Sequence, residues 1–131
     1  MRPDESGYWW ELVEYDLETA RVMLRSGRYL YVGFMCHQVV EKALKAAYAA
    51  QHQAAPPKTH NLGVLAESAG MLNTMPPELV TFLKTIGRLN IKCRYPDSKE
   101  ELARLMTEER SRKTLTETTE FLSWIKTQPS P

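Results

Sequence analysis

Apolar residues recur along this chain at three- and four-residue steps, and the polar positions between them complete a helical rather than a strand pattern. The first stripe is Trp9, Leu12, Val13, Ala20, Met23 and Leu24, which predicts a helix from about Tyr8 to Arg25. Gly27 follows as the stop, because glycine takes the left-handed C′ conformation at little cost. A second helix is predicted from about Tyr29 to Gln53, with Gly33, Cys36, Val40, Ala43, Leu44 and Ala47 on one face. Many of these are small, so another helix can approach closely. The stretch AAPPK ends it, since proline lacks the amide donor and restricts the residue before it.

A short third helix is expected after Thr59, read as its N-cap, with Leu62, Leu65, Ala66 and Ala69 inward and Gly70 near its end. The fourth begins at Pro76-Pro77, where proline suits the first turn, and continues through Leu79, Leu83, Ile86, Asn90 and Cys93. Arg94 to Asp97 reads as a loop. Ser98 is the expected cap of a short helix reaching about Met106, and Thr107 the cap of the last helix. Glu108 and Glu109 suit the positive end of that helix's dipole, and Leu115, Phe121, Leu122 and Ile125 form its stripe. Short connections between such helices point to an all-α, antiparallel, up-and-down bundle.

Composition adds limits. The 131 residues fit one domain, with its core over about residues 8–126, and a 43% hydrophobic, 25% charged make-up is that of an ordinary globular chain. A formal net charge of +1 gives no global field for nucleic acid, though it leaves room for a local basic patch. Cys36 and Cys93 have neither disulfide density nor zinc-site spacing and read as reduced core residues. No apolar run is long enough for a membrane span, and MRPDESGYWW has no signal-peptide core, so a cytoplasmic location is expected. Neither a cofactor nor a metal is called for. The phosphate-binding glycine loop, the HExxH zinc motif and the nucleophile elbow are all missing.

Several polar residues stand out. Asp16 falls inside the apolar stripe of the first helix, where a buried carboxylate needs a partner. It reads either as a site residue or as an internal ion pair that fixes packing, and the second is favoured. Gln38, Glu41, Lys42 and Lys45 lie opposite the apolar face of the second helix, with Gln38–Lys42 and Glu41–Lys45 each four apart. They form either a phosphate-binding set or, as the spacing favours, a solvated face with a salt bridge. His37 at the border of that face and His60 near the third helix are candidate acid–base groups, with a structural role favoured for each. His52 reads as exposed. Arg94 can either fork onto phosphate or cap helix carbonyls and pair with Asp16 or Asp97.

The blocks EYDLETARVML, CHQVVEKALKA, PPKTHNLGVL and LNIKCRYPD, in this order, resemble the HEPN family, the higher-eukaryote and prokaryote nucleotide-binding domain, over about residues 8–126. The resemblance is to its prokaryotic stand-alone members. It implies a bundle of about five helices like nucleotidyltransferase substrate-binding subunits. It also implies a homodimer, and pairing with a minimal nucleotidyltransferase in a toxin–antitoxin or defence system. Many relatives are metal-independent RNases that use an arginine followed after four to six residues by a histidine. Here no histidine follows Arg94, and Arg28 and His37 stand too far apart, so that pair does not carry over. Asp16, Gln38, Glu41, Lys42, Lys45, His60, Arg94 and Asp97 match recurring family positions. The resemblance therefore implies a non-catalytic nucleotide- or RNA-binding module. The alternatives are an RNase toxin with a displaced site built on His37 or His60, and a purely structural scaffold.

Overall fold

The computed structural model describes residues 5–93 and 99–128. Among the described residues there are six helices and no strand: α1 (Glu5–Arg25), α2 (Tyr29–His52), α3 (Leu62–Ser68), α4 (Pro77–Cys93), α5 (Lys99–Leu105) and α6 (Glu108–Lys126). The chain is thus an all-α bundle of four long helices with two short ones, one more element than the round figure of five.

α1 and α2 form a hairpin. Gly27 adopts φ 76°, and the amide of Arg28 returns to the Met23 carbonyl at 2.8 Å, closing the last turn of α1. Ser6 pairs with Ala46, Trp9 with Lys45 and Asp16 with Lys42, so the two helices run in opposite directions. α2 is the central element and touches α1, α3, α4, α5 and α6. Its residues Val32, Cys36, Val39, Val40, Ala43, Leu44 and Ala46 are all fully buried. The main core joins these to Val13, Leu17 and Ala20 of α1, Leu65 of α3, Ile86 of α4 and Phe121 of α6. Phe82 and Phe121 meet with ring centres 6.2 Å apart. A smaller cluster of Leu89 and Met106 packs on Tyr29 and Leu30. Gly33 permits that contact: a Cβ there would stand 3.2 Å from Leu89 and 3.3 Å from Met106.

Most predicted boundaries lie close to the observed ones. α1 begins at Glu5 rather than Tyr8, and α2 ends at His52, with Gln53 in the left-handed region at φ 48°, ψ 40°. Thr107 caps α6 by accepting from the Arg110 amide at 3.1 Å. The cap of α3 differs: Asn61, not Thr59, accepts from the Val64 amide at 3.0 Å, while the Thr59 hydroxyl accepts from the Asn61 amide. The asparagine at the actual boundary wins over the earlier threonine, which instead shapes the approach. The expected cap Ser98 lies outside the described residues.

Candidate functional site

The polar side of α2 is not a solvated face. Glu41 is 3% exposed, and the Lys42 and Lys45 side chains are 21% and 12% exposed. The physical reason is the central place of α2, which has neighbours on every side and so buries polar and apolar positions alike. Gln38 is half-buried on the same helix.

A carboxylate taken out of water in this way needs positive partners. Lys45 Nζ donates to Glu41 Oε2 at 3.0 Å and also lies 5.4 Å from the centre of the Trp9 ring. From the loop before α3, His60 Nδ1 reaches both Glu41 oxygens at 3.0 Å, and the buried His37 Nδ1 stands 3.8 Å from Oε1. One residue along α2, Lys42 Nζ donates to Asp16 Oδ2, tying α2 to α1. Asp16 thus holds a basic side chain inside the α1–α2 interface, where it is 7% exposed. Cys36 is a free, buried thiol, and burial pushes its pKa up from the ordinary 9.0 to about 11.

Beside this network lies a groove of about 780 Å³. Its walls are His37 of α2, the Thr59–Gly63 segment entering α3, and one face of α4 from Val80 to Ile91. The lining between these walls is apolar, with buried Leu62 and Leu83, half-buried Leu72 and Val80 and the exposed Ile91, and Gly87 adds no side chain there. Lys84 and Arg88 stand at its edge, one turn apart. Neither forms an ion pair with a described carboxylate, unlike Lys42 and Lys45, whose charges are already committed. His37 and His60 belong both to the groove wall and to the surroundings of Glu41, so the network braces the groove from behind.

The HEPN domain profile matches residues 6–128, nearly the whole length of the bundle and its groove. The chain belongs to the HEPN domain family. The crystal structure of TT1696 from Thermus thermophilus is similar in fold, with a TM-score of 0.79 at 23% identity, covering 94% of this chain and 97% of that one. No curated protein shows significant sequence similarity.

Of the residues singled out in this HEPN domain, Glu41, Lys45 and His60 come together, and Asp16 and Lys42 form a separate pair. Gln38 shares their helix, while Arg94 and Asp97 lie outside the described residues. Lys84, Arg88 and Asn90 were not singled out as site residues. An i, i+4 pair of cations on an amphipathic helix reads as ordinary surface, and Asn90 reads as part of the α4 stripe. The available signal was that both cations lack an acidic partner one turn away on α4. Among the described residues no group of three or more His, Cys, Asp or Glu is placed to hold a metal ion. The arrangement can take a flat apolar group on the floor and an anion at the Lys84–Arg88 edge.

Proposed function

We propose that this HEPN domain is a non-catalytic nucleotide-binding module whose site is the groove between the α3 approach and α4. One observation carries the reading: two cations without acidic partners among the described residues, Lys84 and Arg88, border an apolar groove large enough for a nucleotide. Uncommitted ammonium and guanidinium groups suit phosphate, and the apolar floor suits a base. The cations of α2, which family position brought forward, serve structure on this reading because Asp16 and Glu41 neutralise them. The module acts as a homodimer alongside a minimal nucleotidyltransferase in a toxin–antitoxin or defence pair. Family membership supports that setting, and the missing Arg-x4-6-His pair supports the non-catalytic role. The test is calorimetric titration with nucleoside monophosphates and short RNA. Lys84→Ala and Arg88→Ala are each expected to weaken binding by roughly ten-fold. A wild-type protein that binds neither nucleotides, RNA nor a nucleotidyltransferase rejects the proposal.

A second reading, an RNase with a displaced site, draws on the His60–Glu41 pair. A carboxylate holding Nδ1–H leaves Nε2 as the basic nitrogen, and His60 is 62% exposed in its side chain on the groove wall. It calls for RNA cleavage in the presence of a chelator, lost in His60→Ala. Intact RNA after long incubation with pure wild-type protein eliminates it.

A further inference from the structure

The inner wall of the groove carries an acceptor that no donor of the described residues reaches. Asn90 is 5% exposed and lines the groove, yet its carboxamide oxygen has no hydrogen-bond partner among the described residues. Buried side-chain oxygens are nearly always paired, because one stripped of water without a replacement is a standing cost. Other buried α4 positions carry Leu79, Phe82, Leu83 and Ile86, so packing alone would be served by an apolar side chain here too.

The place of Asn90 on α4 gives the acceptor a direction. By helical period, Lys84 and Arg88 share one edge of the face lining the groove, Gly87 and Ile91 run along its middle, and Leu83 and Asn90 share the opposite edge. The first edge is the more exposed and the last is buried. Chemistry across the groove therefore runs from cation, through apolar floor, to buried acceptor. A nucleotide runs from phosphate, through a flat ring, to the amino group on the far edge of its base.

We propose that the groove selects nucleotides by an exocyclic amino group, donated to the Asn90 carboxamide, with adenylate as the representative ligand. Asn90 is then the specificity-determining residue. This inference rests on the nucleotide reading of the groove. The terminal torsion of asparagine is broad, so the oxygen can turn toward a bound base. The same carboxamide carries N–H donors for a ring nitrogen beside the amino group, the two-point pairing by which asparagine recognises adenine.

The experiment compares AMP with purine riboside 5′-monophosphate, which lacks only the amino group, by calorimetry on the full chain. Wild-type protein is expected to bind AMP roughly ten-fold more tightly. Asn90→Leu keeps the bulk, removes the acceptor and is expected to equalise the two. Lys84→Ala is expected to weaken both ligands while leaving their ratio unchanged. Equal wild-type affinities overturn the role of Asn90 and leave the groove as a nucleotide site. Binding of neither ligand overturns both readings. The wild-type ratio decides the matter whether or not the Asn90→Leu variant folds.

Discussion

His60 Nδ1 lies 3.0 Å from both carboxylate oxygens of Glu41, joining a largely exposed imidazole to an almost wholly buried acid. Lys45 shares that acid from within α2. The two partners differ in burial, and so in what their loss does. Glu41→Ala strands the Lys45 ammonium, whose side chain is 12% exposed, and is expected to cost about 3 kcal/mol of unfolding free energy. His60→Ala removes a partner that solvent replaces and is expected to cost at most about 1 kcal/mol. Urea unfolding of both variants checks the contrast. Equal losses would place the energetic weight of the network on His60 instead.

Asp16 and Lys42 clamp α1 to α2 within a largely apolar interface. Breaking the pair from one side leaves a charge without its partner, so Asp16→Ala is expected to destabilise by about 3 kcal/mol. The double variant Asp16→Leu/Lys42→Met replaces both charges with apolar bulk and is expected to recover most of that loss. A double-mutant cycle measured by chemical unfolding gives the coupling directly. A coupling near zero would mean that the pair is solvated and only loosely held.

Gly87 is the steric key to the groove. A Cβ built there meets nothing within 4 Å, and the residue sits in the middle of the groove-lining face of α4. Gly87→Leu therefore projects its side chain into the groove without disturbing the core. Replacing glycine inside a helix is expected to add up to about 1 kcal/mol of stability, while nucleotide binding is lost. Thermal unfolding and titration on one preparation test both halves. Retained binding would place the ligand elsewhere.

Gln53 closes α2 in the left-handed region at φ 48°, where its amide donates to the Ala49 carbonyl. A side chain there is strained and glycine is not. Gln53→Gly is expected to raise stability by about 0.5–1 kcal/mol, seen as an increase in Tm. A decrease would show that the side chain makes a compensating contact.

Burial raises the Cys36 pKa from 9.0 to about 11, so the folded protein holds this proton more tightly than the unfolded chain. The group's contribution to stability is complete below pH 9.0 and is lost as pH rises through about 11. In a Cys93→Ser background, the Cys36 thiol is expected to resist alkylation at pH 8 until denaturant is added (an order-of-magnitude rate difference or more). Unfolding free energy is expected to fall more between pH 9.0 and about 11 than in the corresponding Cys36→Ala variant. Fast alkylation of the folded protein at pH 8 would contradict the burial argument.

The helices were legible in the sequence because their signals are local. The 3.6-residue stripes, Gly27, the Pro76-Pro77 start and the Thr107 cap each act within a turn or two of chain, and each is found in place. The Asn61 cap was misread by two residues because Thr59 and Asn61 are both good capping types, and only backbone geometry chooses between them. Family-like spacing also brought forward Glu41, Lys45 and His60, which do converge. It gave no hint that Lys84, Arg88 and Asn90 share a groove with His37.

What the amino-acid order determined by itself was the set of amphipathic helices, since each depends on residues three or four places apart. What tertiary packing decided was which polar positions face solvent. The polar side of α2 that carries Glu41, Lys42 and Lys45 became interior because five other helices contact α2, and its lysines are neutralised by buried carboxylates. On α4, Lys84 and Arg88 have no carboxylate partner among the described residues, and they border an open groove. Burial belongs to the assembled bundle and not to any one helix, and burial is what separates a structural ion pair from a charge available to a ligand.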